Sequence, residues 1–292
     1  MWKTPALAAW IAVVALAAWM PVGSLAEDDG PHGLKKMIAV ADFEDKADQS
    51  TWHWTGPNPG DGMSDMLTTA LVQTGKFRVI EREQLEHVLA EQQLGQAGIT
   101  TPQTAAKLGQ VLGVSAVVYG SISEFGYKKE STGGRVKGFG AGLKKQEARV
   151  ACDVRIIDTS TAEILVAETY ASEKSKHGVG VDTREFSFGH DSKFDETLVG
   201  KATREVIDEV VEKLTETIDT MPWTGRIVKA DTDDRVYLNA GSEAGVEGGM
   251  TFDVFRAGEE LIDPSTGLSL GAEETRVGSI EVTDVKEKYS IC

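Results

Sequence analysis

The sequence predicts an α/β (α+β) domain with a mixed sheet and flanking helices, followed by a small all-β C-terminal barrel. Three observations predict it. Between residues 36 and 220, short β-branched runs alternate with stretches of helical period. Pro222 breaks the strongest of the helical stripes, and beyond it only short strands and turn signals follow. The 292 residues contain 31 Gly but only 8 Pro, a balance that favours strands and tight turns over a Pro-rich disordered tail.

The first 26 residues read as a signal peptide. Lys3 supplies a positive start, Ala6 to Met20 is apolar, and Pro21 and Gly23 end the run. Ser24 and Ala26 then stand at the −3 and −1 positions of a cleavage site. The alternative is an uncleaved anchor helix, but the apolar run is about 15 residues against the roughly 20 that a spanning helix needs. No Cys lies near the cleavage site, so a lipid has no attachment point there. The expected location is the outer membrane-bounded periplasmic space, with association to the outer membrane left open.

The mature chain divides at Pro222 into residues 27–221 and residues 222–292. Met37–Phe43 is a buried strand candidate, and residues 44–62, punctuated by Gly and Pro, are a loop. A helix over 61–74 puts Met63, Met66, Leu67, Ala70 and Leu71 on one stripe and stops at Gly75. Phe77–Ile80 is a strand, and helices follow over 81–93 and from Thr101-Pro102 to Leu112. Val114–Phe125 is a long strand. Ala148–Asp158 alternates apolar and polar residues, and its turn at Asp158–Ala162 leads to a return strand over 163–171. Residues 195–220 keep the 3.6-residue period from Leu198 to Ile218. After Pro222, strands are expected at 225–230, 235–239, 251–256, 260–262 and 278–285, spaced as in a small barrel. The final Tyr-Ser-Ile-Cys reads as strand, with the chain stopping inside it.

Charge and composition exclude several chemistries. With 46 acidic and 30 basic side chains the formal charge is −16, which argues against a nucleic-acid partner. Two cysteines, Cys152 and Cys292, make neither a disulfide framework nor a four-ligand zinc site, and read as free thiols. Five scattered histidines form no helical ligand pair, and His177 and His190 read as solvated loop residues. No Gly-x-Ser-x-Gly elbow, Walker lysine or complete dinucleotide fingerprint occurs. No enzyme activity, metal or cofactor is expected.

Two kinds of feature remain. Trp52-His53-Trp54 places two large aromatics in a loop, where they either recognise a partner or line a passage, or else pack on their own domain. The polar, Gly-containing stretches 126–147 and 172–194 interrupt the strand pattern. Residues 126–149 carry seven basic and two acidic residues, a net +5 on an acidic chain.

Ile38–Phe43, Gly62–Leu71, Phe77–Leu85, Ala105–Ile122 and Val154–Leu165, taken in order, resemble the CsgG family, the curli production assembly and transport component. The tail, with Gly258–Leu268 and Val277–Val282, resembles the C-terminal domain of flagellar assembly protein T. The first resemblance implies a periplasmic α/β domain that assembles into a homo-oligomeric ring. In the secretion-channel members, which are lipoproteins, two hairpin segments per subunit enter a shared outer-membrane barrel, and an aromatic loop before the first helix narrows the pore. Carried onto this sequence, the constriction loop is Trp52, His53 and Trp54. The two insert positions are 126–149 and 168–194, and the membrane or partner hairpins hold Lys128, Lys129, Arg135, Lys137, Phe139, Lys144 and Lys145 in the first and Phe186 and Phe188 in the second. The cargo would be secreted polypeptide.

Counted by twos along the chain, Arg135 and Lys137 fall in phase with Phe139, Ala141 and Leu143, while Val136 falls in phase with three glycines. A Lys or Arg facing lipid near the midplane costs about 2–4 kcal/mol. That phase suits the other reading, a soluble periplasmic scaffold for an envelope organelle such as the flagellar base, whose partners would be organelle proteins.

Overall fold

The computed structural model describes residues 33–80, 85, 108–109, 111–136, 139–178, 192–231, 235–262, 264 and 269–292. The expected signal peptide, most of the two helices at 81–93 and 101–112, and Lys137, Phe186 and Phe188 lie outside them.

The main sheet is mixed. β1 (Lys36–Val40) lies between β3 (Phe77–Ile80) and β4 (Ala116–Val136) and is parallel to both. β5 (Phe139–Asp158) and β6 (Ile164–Gly178) then add antiparallel strands, giving the order β3-β1-β4-β5-β6. Ile38, Ala39 and Val40 are all buried because β1 is covered on both faces, which is why its sequence is an unbroken apolar run. β2 (Glu44–Asp45) pairs with β4 through Glu44↔Ser121 inside the segment expected to be loop. Both its residues are exposed, so backbone pairing and not burial places it.

Helix α1 (Pro59–Gln73) starts two residues before the expected position. Asn58 Oδ1 accepts from the Gly60 N–H at 2.9 Å and Pro59 occupies the first turn, an N-terminal cap that the apolar stripe alone does not mark. A short turn of helix, α2 (Ser192–Asp195), precedes α3 (Leu198–Asp219). The expected single helix from 195 is split because Thr197 caps α3, its hydroxyl accepting from Gly200 N–H at 2.9 Å. α1 and α3 cover one face of the sheet, burying Met63, Leu67, Val206, Val210 and Leu214 against Ile38, Val118, Ile122, Val154 and Ile156. On the opposite face Leu85 and Leu108 join Ala39, Val117, Tyr119 and Ile157. Near the end of α3, Lys36 Nζ donates to the Ile218 carbonyl at 2.7 Å, a cation on orphan helix-end oxygens.

After α3 come β7 (Ile227–Ala230), β8 (Val236–Leu238), a 3₁₀ turn at Ser242–Ala244, β9 (Thr251–Ile262), β10 (Ser269–Glu281), β11 (Asp284–Val285) and β12 (Ser290–Ile291). Their apolar cluster is Leu238, Ala240, Ala244, Val246 and Val282, with Leu34, Trp223 and Phe252 packed against it. The expected barrel is not confirmed: among the described residues β11-β12-β8-β7 form one open sheet, and β9 pairs with β10 in another. The strands expected at 251–256 and 260–262 are one strand, and that expected at 278–285 is divided at Val282–Thr283. Among the described residues no helix is long and apolar enough to cross a membrane.

Candidate functional site: the root of a long hairpin arm

The strand expected to end at Phe125 runs on to Val136, and its partner begins at Phe139 instead of Ala148. Lys and Gly have low strand propensity, so composition marks this stretch as an interruption, whereas the ladder continues without a break from Phe125↔Val150 to Val136↔Phe139. Tyr127–Val136 and Ala148–Phe139 form an arm of ten residues per strand, about 34 Å at ~3.4 Å per residue. β6 flanks its lower half, pairing from Ala148↔Lys174 to Lys144↔Gly178.

The Trp52-His53-Trp54 loop grips this arm at its root. His53 N–H donates to the Tyr127 carbonyl and Tyr127 N–H to the His53 carbonyl, both at 3.0 Å. Gly126, at φ +137°, makes the approach possible: a Cβ there would lie 2.5 Å from the His53 carbonyl oxygen. Trp54 meets Phe125 edge-on at 5.0 Å between ring centroids, Phe194 edge-on at 6.4 Å, and stacks on Tyr127 at 6.4 Å. Its indole N–H donates to the Pro57 carbonyl at 2.8 Å, and its backbone N–H to Gln49 Oε1 at 3.0 Å. Thus one aromatic cluster ties together the loop, the root of the first insert, and Phe194 at the end of the second.

Of the loop residues, Trp52 is buried at 8% exposure, Trp54 is half-buried and His53 is exposed. Both tryptophans pack on their own domain, one of the two alternatives the sequence leaves open. Phe125, Tyr127 and Phe194 are the members that sequence reasoning did not single out. The Phe-Gly-Tyr break at 125–127 was their only local signal, and it carries no information about a loop seventy residues earlier.

Of the arm residues, Lys128 is half-buried and Lys145 ion-pairs with Glu147, itself 9% exposed. Lys129 stands opposite Gln146, Lys144 opposite Ser131, Arg135 opposite Gly140 and Phe139 opposite Val136. Below the arm, Arg149 is bonded to Glu124 and reaches Glu173 at 3.4 Å, and these carboxylates raise its already high pKa. On the same sheet Lys174 pairs with Glu205, and Lys213 with Glu168 at 3.2 Å, bracing β6 against α3. The Lys174 pair lowers the Glu205 carboxyl pKa, and the Tyr170 hydroxyl, donating at 2.9 Å, followed by Lys213, lowers that of Glu168.

The register corrects the sequence-stretch phase. Residues directly opposite in an antiparallel ladder share a face. Because Val136 pairs with Phe139, Phe139, Ala141 and Leu143 share a face with Val136, Gly134 and Thr132, not with Arg135. Arg135 shares the other face with Gly133, Gly140 and Gly142. The upper arm therefore has one face of Thr, Leu, Ala, Val, Phe and a single Gly, and one of Arg and glycines.

Among the described residues no group of three or more His, Cys, Asp or Glu is placed to hold a metal. Cys152 is buried in the helix-covered core and its thiol pKa is pushed up to about 12, mainly by burial, so it is no nucleophile.

The family model of the curli production assembly/transport component CsgG matches residues 24–240, which includes the whole main sheet, α1, α3 and the arm. No curated protein matches the chain. Among solved structures, the chain is similar to the hypothetical protein CT253 from Chlamydia trachomatis at 15% identity and TM-score 0.41, over 64% of this chain and 100% of that one. It is similar to lipoprotein GNA1162 from Neisseria meningitidis at 13% and 0.34, over 62% and 99%. It is also similar to the LpoB C-terminal domain from Salmonella enterica at 20% and 0.32, over 48% and 83%. The segments that resemble flagellar assembly protein T, Gly258–Leu268 and Val277–Val282, lie beyond the residues this family model matches. The chain belongs to the CsgG family and is an envelope-associated protein of that family.

Proposed function

We propose that this protein is the ring-forming subunit of an outer-membrane-associated secretion apparatus that passes unfolded polypeptide. The observation that carries the reading is the register of the arm. Ten residues per strand match the 9–11 of a membrane β-strand. Over the outer five rows the register puts Phe139, Ala141, Leu143 and Val136 in one phase and Arg135 in the other, the alternation that barrel strands need, while nearer the root Lys128, Glu130, Lys145 and Glu147 fall in the first phase. Oligomerisation follows from geometry, because one arm leaves unpaired edges that only neighbouring arms close. In this reading the apparatus performs no covalent step, and the Trp52-His53-Trp54 loop sets where the arm leaves the domain.

A second reading is favoured by one observation. Trp52 and Trp54 are held by their own domain, as a scaffold without a constriction would hold them. There the protein is a soluble periplasmic adaptor for an envelope organelle.

Native protein extracted in detergent from the outer-membrane fraction and added to planar lipid bilayers tests both. Rings by negative stain, with stepwise conductance, are expected. A monomer found wholly in the soluble periplasmic fraction refutes the channel and leaves the adaptor.

A further inference from the structure

Among the described residues the main sheet ends on β3 at one margin and on β6 at the other, and one row of the ladder joins them. Across the strands, Ile80 lies beside Ala39, Ala39 beside Val117, Val117 opposite Ile157 and Ile157 opposite Ile164. At about 4.8 Å between strands, Ile80 and Ile164 stand about 19 Å apart at the two ends of that row. Both margins are apolar there. Ile164 is 47% exposed and Leu165 38%. Leu165 falls at a shift in the β5–β6 register, a bulge that makes this margin present side chains instead of a flat open ladder. At the other margin Val79 and Ile80 are half-buried, and Val72, in the last turn of α1 before β3, is 55% exposed. The margins also carry opposite charge. Arg78 stands two residues before Ile80, and Glu163 immediately before Ile164; among the described residues neither side chain meets an opposite charge. Lys76 adds a second cation beside Arg78, exposed and 3.9 Å from Asp219. The turn that presents Glu163 is already fixed. Asp158 N–H donates to the Glu163 carbonyl at 2.9 Å, and Asp158 Oδ1 accepts from Ser160 N–H at 2.6 Å. Such a surface loses little freedom on docking.

We infer that the two margins are the halves of one head-to-tail interface between copies of this chain, in which Glu163, Ile164 and Leu165 of one copy meet Arg78, Ile80 and Val72 of the next. This rests on the ring reading. A ring repeats its subunit through a heterologous contact, so the two surfaces that meet are different patches on opposite sides of the subunit, each complementary to the other and not to itself. Opposite margins of one sheet meet that condition, and joining margin to margin continues the layer round the ring while leaving the helix-covered face free. Two acidic or two basic margins repel, so charge admits only the head-to-tail order. The apolar side chains supply the dry centre of the contact, and the Arg78–Glu163 pair at its rim sets the direction.

The test is sedimentation velocity of the detergent-extracted native protein across a concentration series, with negative stain of the peak fractions. The wild type is expected as closed rings. Glu163→Arg sets like charges against each other at every contact, and so does Arg78→Glu; each should raise the concentration needed for assembly about tenfold or more. Circular dichroism and the urea midpoint of each variant establish that the subunit itself is folded. The double variant Glu163→Arg with Arg78→Glu exchanges the two charges, makes the margins complementary again and should restore rings at the wild-type concentration. Rings unmoved by either single reversal, or lost in the singles and not restored in the double variant, overturn the inference and leave the ring standing on another surface. A wild type that stays monomeric at every concentration overturns the ring reading, and the inference with it.

Discussion

Replacing Trp54 by Ala tests whether the loop is a clasp or a free-standing constriction. The substitution removes an edge-on contact to Phe125 at 5.0 Å, another to Phe194 at 6.4 Å, and the stack on Tyr127. Full truncation of a buried aromatic costs about 3–5 kcal/mol, and aromatic pairs add about 0.5–1.5 kcal/mol each. Trp54 is only half-buried, which scales the burial part down to about 1.5–2.5 kcal/mol, and the three ring contacts bring the expected loss to about 3 kcal/mol or more. The assay is urea unfolding of the mature protein followed by circular dichroism, with Trp54→Phe retaining more than half of the stability lost. Gly56→Ala offers an independent approach to the same contact, because its Cβ would lie 2.3 Å from the Trp54 ring. A Trp54→Ala loss below about 0.5 kcal/mol, the range of ordinary surface substitutions, refutes the clasp. The buried Trp52 sharpens the same point: replacing both tryptophans alters folding as well as any conductance.

Two further outcomes follow from geometry at named atoms. Gly126→Ala forces a left-handed backbone on a residue with a Cβ and drives it onto the His53 carbonyl, with an expected loss of about 3 kcal/mol in the same urea assay; wild-type stability would remove the His53–Tyr127 bridge from the account. Cys152, with its thiol pKa raised to about 12 by burial, stabilises the fold fully below the unfolded thiol pKa of about 8.5, and that contribution is lost as pH rises toward the folded value. Stability of the wild type should fall by about 1.4 kcal/mol per pH unit more steeply than that of Cys152→Ala between about pH 9 and 11, and parallel slopes in denaturant titrations would contradict the assignment.

The local elements were legible in the residues themselves. The stripe from Met63 to Leu71 and that from Leu198 to Ile218 repeat with the helical period because each helix buries one face. β1 is an unbroken apolar run because strands flank it and both its faces are covered. The family resemblance was carried by the same segments. The basic, Gly-rich character of 126–149 was visible too, but its meaning was not. Whether Arg135 shares a face with Phe139 depends on which residue lies across the ladder, and strand pairing is a non-local choice that propensity does not encode. The grip of His53 on Tyr127, and of Trp54 on Phe125 and Phe194, joins positions some seventy and one hundred and forty residues apart along the chain. The arrangement of the C-terminal strands was illegible for the same kind of reason, since each strand was predicted by its own residues but the partners of β9 and β10 were set by the tertiary fold. Periodicity reports which side of an element meets the core; only the folded chain decides what it meets there.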